Sequence, residues 1–132
     1  MSSPLRVALR NRLQTAMHAR DRRTAGVMRS VIAALENAEA VPVTSNEAPV
    51  AMSEHVAGAA VGLGAGGAPR RVLSLDEERA LVEREVIELR SSSAVFAAAG
   101  RAERSAELLR SADTVDEILR ESAPQESEEW SG

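Results

Sequence analysis

The sequence predicts a small all-α bundle. Apolar residues recur at three- and four-residue steps in several stretches, helix-start signals stand just before those stretches, and strand-like alternation occurs nowhere. At 132 residues the chain is one domain by size. The expected layout is an antiparallel αα-hairpin, one long helix and two short C-terminal helices. The domain occupies residues 1–122 and is interrupted at 41–72 by a flexible Gly/Ala/Pro-rich linker. Residues 123–132 are expected to form a disordered acidic tail.

Ser3 before Pro4 opens the first helix: a hydroxyl N-cap, then a proline at the position where its missing N–H costs nothing. Leu5, Leu9, Leu13, Ala16 and Met17 share one stripe, and the helix should end near Arg20. Asp21 is the expected N-cap of the second helix, whose stripe is Thr24, Val27, Met28, Val31, Leu35 and Ala38. Gly26 inside it costs about 1 kcal/mol relative to Ala, and a close helix–helix approach would explain it.

From Val41 to Pro69 the periodicity stops. GLGAGG at 62–67 matches a dinucleotide fingerprint, but neither a strand before it nor a helix opening at the glycines accompanies it. The stretch reads as linker. Ser74-Leu-Asp-Glu77 is a capping box that opens a long helix to about Ala99, with Leu75, Val82, Val86, Leu89 and Phe96 as its seam. Its first half is acidic, offering partners for Arg6, Arg10, Arg22 and Arg23. Ser91–Ser93 is a poor helix run, tolerable if solvated or bonded back to the i−4 carbonyls, and otherwise simply an exposed stretch. Gly100 is a C′ glycine. A short helix over about 102–112 should pack through Ala106 and Leu109. A second capping box, Thr114-Val-Asp-Glu117, should start the last one, carrying Ile118 and Leu119. Trp130 falls in the tail.

Charge is unevenly spread. Residues 1–30 carry seven Arg against Asp21 alone, while the remainder is strongly acidic. Such a division suits either an anionic partner for the front or packing of one half on the other. No Lys, Cys or Tyr is present, which excludes Schiff-base lysines, thiol nucleophiles, disulfides and phenolic acids. His18, three residues before Asp21, is the one arrangement resembling a base with an orienting carboxylate, and no nucleophile accompanies it. His55 lies in the linker. Glu36 and Glu39 have no following His to complete a carboxylate-bridged metal site. Neither a metal nor a cofactor is expected. With one Phe and one Trp there is no aromatic platform for bases. The available nucleic-acid mode is Arg to phosphate, and its candidates are Arg10, Arg12, Arg20, Arg22, Arg23 and Arg29. Salt bridges to the third helix, or a protein surface, are the competing uses of the same cluster. The N-terminus has no apolar leader and no stretch is long and apolar enough to span a bilayer, so a cytoplasmic protein is expected.

Three stretches carry a resemblance: LQTAMHARDRRTAGVMRSVIAALENAE at 13–39, LSLDEERALVEREVIELR at 73–90 and FAAAGRAERSAELL at 96–109. In order and content they resemble the YqeY-like family, the GatB/YqeY domain proteins of bacteria. That resemblance implies an all-helical fold similar to the tail of the GatB subunit of the tRNA-dependent amidotransferase, a tail implicated in handling tRNA. It therefore implies a non-catalytic accessory module associated with tRNA or with the amidotransferase. A protein–protein adaptor without RNA is the alternative. Third comes the label often given to free-standing members, carbon–nitrogen ligase with glutamine as amido-N-donor, although the chain contains no glutaminase nucleophile or ATP-binding motif. Relative to the family the chain is shortened after Leu119 and carries an insert at 41–69.

Overall fold

The structure is a computed structural model that describes residues 2–40 and 71–124. Most of the expected linker, with His55 and GLGAGG, lies outside the described residues, as do 125–132 with Trp130. Four helices make up the described chain: α1 (Pro4–His18), α2 (Arg22–Ala40), α3 (Leu75–Ala98) and α4 (Ala102–Glu121). There is no strand among the described residues. The expected all-α bundle is the observed architecture. Contacts group the described residues 2–35 and 75–124 into one unit, which holds nearly all of the described helices. The described residues 36–40 and 71–74 belong to a second. There α2 ends, the Arg71 N–H donates to the Glu39 carbonyl at 3.0 Å, and Leu73 is buried.

The starts of the first two helices follow from side-chain chemistry. Ser3 Oγ accepts the Arg6 N–H at 3.1 Å, satisfying one of the orphan donors of α1. Asp21 does the same for α2: Oδ1 accepts the Thr24 N–H at 3.1 Å and Oδ2 the Thr24 hydroxyl at 2.7 Å. These bonds, the hydroxyl's first, hold the Asp21 carboxyl below its ordinary value, helped by nearby Arg23 and opposed by partial desolvation.

The two helix corners are built alike. After α3, the Arg101 N–H reaches back to the Phe96 carbonyl (2.8 Å) and the Gly100 N–H to that of Ala97 (3.0 Å). After α1, Asp21 reaches Ala16 (2.8 Å) and Arg20 reaches Met17 (3.1 Å). Both are Schellman motifs, which need a left-handed residue at C′. Gly100 takes φ 80° without a Cβ to object, whereas at the first corner Arg20 takes φ 59°. A left-handed non-glycine residue costs about 1–2 kcal/mol, part of which glycine's greater chain entropy would return. Arg20→Gly is accordingly expected to raise stability by about 0.5–1 kcal/mol, read from a urea unfolding curve. A loss of stability would mean that the Arg20 side chain contributes more than its backbone costs.

α3 and α4 run antiparallel, as their partners show. Ser93 meets Ser105, Arg90 meets Asp113, and Arg79 Nη2 donates to the Leu119 carbonyl at 2.9 Å, so numbers rise on one helix as they fall on the other. The core is Leu5, Leu9 and Ala16 from α1, Ala25, Met28, Val31 and Leu35 from α2, Val82 and Val86 from α3, and Leu108, Ala112, Val115, Ile118 and Leu119 from α4. α1 packs on α4, and its first turn is tied to α3. Glu78, 5% exposed, accepts from Ser3 Oγ at 2.6 Å and from Arg6 Nε at 2.8 Å.

Several expectations are corrected. The two short C-terminal helices are one 20-residue helix, α4. Thr114 does not cap a new start; its hydroxyl bonds back to the Arg110 carbonyl at 3.0 Å inside a continuous helix. Continuity is favoured because Leu108, Ala112, Val115 and Ile118 form a single buried stripe across the expected break. Leu109 is exposed and Ala106 half-buried, one position off that stripe. Ser93 is buried rather than exposed. Its Oγ donates to the Ser105 carbonyl at 3.0 Å, which leaves Ser105 Oγ to donate to Ser93 Oγ across 2.8 Å. Small paired hydroxyls there let the two helices pack closely without an orphaned polar group. Met17 and Leu75 are exposed instead of core-facing.

Candidate functional site

The six candidate arginines separate into two groups. Arg10 Nη1 donates to Ser2 Oγ at 2.7 Å, on the exposed side of the α1 start. Arg12 faces α4, 3.5 Å from Glu117 Oε1 and 3.9 Å from Glu121 Oε1. Arg23 Nη1 donates to Ser111 Oγ at 3.2 Å. The expected pairing with the acids of α3 is made by Arg6, through Glu78; Arg10 and Arg23 donate to serines instead.

Arg20, Arg22 and Arg29 differ. They line one hollow at the α1–α2 corner, beside Met17 and Ala25, and among the described residues none of the three has an ion-pair partner. Asp21, also at this hollow, has both carboxylate oxygens engaged by Thr24. The reason for the convergence lies in the local chain. Arg20 occupies the left-handed turn of the corner itself, and Arg22 and Arg29 are seven residues apart, two turns of α2 and hence the same face. Met17, 51% exposed, adds an apolar edge.

His18 and Asp21 do not form a catalytic pair. His18 Nδ1 bonds the Gln14 carbonyl at 3.1 Å, and Thr24 occupies the carboxylate. Among the described residues no group of three His, Cys, Asp or Glu is placed to hold a metal, and no helix is long and apolar enough to cross a membrane.

Sequence reasoning missed a second feature. A cleft of about 380 Å3 opens between α2, α3 and α4. Its apolar lining is Val27, Val31, Leu89 and Leu108, and its polar lining includes Ser30, Glu85 and Ser111. Gly26 borders it, is exposed, and would place a Cβ with no atom within 4 Å. The close helix approach expected at Gly26 is therefore absent; the glycine leaves one lip of the cleft low. Glu85 is half-buried, and among the described residues nothing hydrogen-bonds its carboxylate. Burial, then the charge of Glu88, push its carboxyl above the ordinary value, with Arg84 opposing. At the far end Arg104 is occupied: it pairs with Glu107 at 2.9 Å and lies over the Phe96 ring at 5.8 Å. Arg22 lines both the cleft and the corner hollow, so the two adjoin. No family model, curated protein or solved structure matches the chain.

Proposed function

We propose that the chain is a non-catalytic accessory module of the YqeY-like kind, working in the cytoplasm, and that the α1–α2 corner binds the phosphate backbone of RNA, tRNA in the first instance. The observation that carries this reading is the convergence of Arg20, Arg22 and Arg29 on one hollow, with no carboxylate partner for any of the three among the described residues. Guanidinium groups free of internal pairing can neutralise phosphates at no cost in broken salt bridges. Arg20 supports the same view. A glycine would serve the left-handed turn at lower backbone cost, yet a cation stands there. Arg10, Arg12 and Arg23, already engaged, are secondary contacts.

A second reading, the protein–protein adaptor, is favoured by a different face. Ile87 and Val95 are exposed on α3, and no charged residue occurs between Ser91 and Gly100. In that reading the amidotransferase or another protein docks on an uncharged helix surface.

The two readings part in a salt titration. Arg20→Gln, Arg22→Gln and Arg29→Gln combined are expected to flatten the slope of log affinity for tRNA against log salt by about 2–3. Helicity and unfolding midpoint should stay close to the parent's, because no ion pair among the described residues is lost. No tRNA binding by the parent at about 50 mM salt, where phosphate contacts are strongest, would remove the RNA reading and leave the adaptor.

A further inference from the structure

We infer that the cleft between α2, α3 and α4 is a base pocket, and that it takes an unpaired guanine whose backbone phosphate rests on the corner arginines. This rests on the RNA reading of the corner and assigns a distinct role to its neighbour. Arg22 belongs to both hollows, so a single nucleotide can lay its phosphate on one side of that side chain and its base on the other. A volume of about 380 Å3 is ample for a base and falls within the usual range for small-ligand pockets.

The walls suit a flat heterocycle. Val27, Val31, Leu89 and Leu108 offer apolar surface for its faces, the part that apolar side chains play where a base is held out of its stack. The low lip at Gly26 provides entry. The polar groups specify which base. Glu85 presents carboxylate oxygens, and an ionised carboxylate only accepts; guanine alone offers two adjacent donors, N1–H and N2–H2, on one edge. Arg22 and Arg23 supply donors on the α2 side, and O6 and N7 of guanine are the acceptors that arginine pairs with. Adenine and cytosine present one amino donor each, and uracil would set a carbonyl oxygen against the carboxylate. Arg104, held by Glu107 and Phe96, leaves the cleft's free positive charge at the end nearest the corner.

The test uses the full chain and three probes: a U-rich heptamer with one central G, the same heptamer with a central A, and an RNA duplex. Binding is followed by fluorescence anisotropy at about 50 mM salt. The parent should prefer the G heptamer over the A heptamer by about tenfold or more. Gly26→Leu fills the cleft from an exposed helical position and should abolish that preference while leaving duplex binding unchanged. Glu85→Gln keeps the shape, alters the hydrogen bonding, and should reduce the preference without closing the cleft. Equal affinity of the parent for the two heptamers, or a preference that survives Gly26→Leu in a folded protein, overturns the base pocket while the phosphate-binding corner stands. If none of the probes binds, the corner reading fails and takes the pocket with it.

Discussion

Met28→Asp is expected to leave the protein unfolded at 25 °C. Met28 is fully buried on the face of α2 that also carries Thr24, Val31 and Leu35. Removing its side chain alone would cost about 2–5 kcal/mol. The carboxylate adds the penalty of an unpaired buried charge. The sum reaches the whole stability expected of a domain this size, about 5–15 kcal/mol. Gln14→Asp, on the exposed face of α1, should be nearly silent, and Leu89→Asp should fall between them because Leu89 only half-buries at the cleft wall. Far-UV circular dichroism of the three variants decides. A helical, cooperatively melting Met28→Asp would mean that α2 does not present this face to the core.

The second large effect is expected at Arg6. Its Nε donates to Glu78 Oε2 at 2.8 Å, and both side chains are nearly out of solvent, 12% and 6% exposed. Exposed ion pairs contribute little; this one differs because Glu78 has little access to bulk water. Arg6→Met should cost about 3–5 kcal/mol, the usual result of leaving one buried charge without its partner. Ser3 Oγ still reaches Glu78 at 2.6 Å but cannot neutralise it. Replacing both residues, Arg6→Met with Glu78→Met, should recover most of the loss, since a buried pair can often be exchanged for apolar side chains at little cost. Urea unfolding of the single and double variants measures both numbers. A single variant losing under about 1 kcal/mol would place the pair among the solvent-screened kind.

Where one residue dictates local geometry, the sequence was readable. Ser3 and Pro4 start α1, Asp21 caps α2, and Gly100 ends the turn after α3 as its lack of a Cβ requires. The α2 stripe was readable too, because Met28, Val31 and Leu35 are apolar at helical spacing. What escaped was polar or small. Ser93 and Ser105 are buried where α3 meets α4, Ser111 is buried on α4 within reach of Arg23, and hydropathy counts a serine as surface. Without them the stripe of α4 looked shifted by one residue and broken at Thr114. Glu78 escaped for the same reason: its burial follows from Arg6 and Ser3, more than 70 residues away. At the candidate site, the sequence could name six arginines but not sort them. Sorting depended on which were engaged by Ser2, Ser111, Glu117 and Glu121, and those are long-range facts. The cleft was least visible, since an exposed glycine in a helix looks alike whether it lets a neighbour in or leaves a space.

The contrast between the short corner at Ala99–Arg101 and the distant tie at Glu78 also sets an order of events in time. α3 and α4 are separated by three residues, so their mutual contacts close small loops at little entropic cost and can form within the first steps of folding. Arg6 and Ser3 must find Glu78 across separations of 72 and 75 residues. Contacts of that span suit the late side of the barrier, where they act on the rate of unfolding more than on the rate of folding. The buried ion pair is then a latch: it governs how long the N-terminal helix stays docked once the helical pair behind it has already formed.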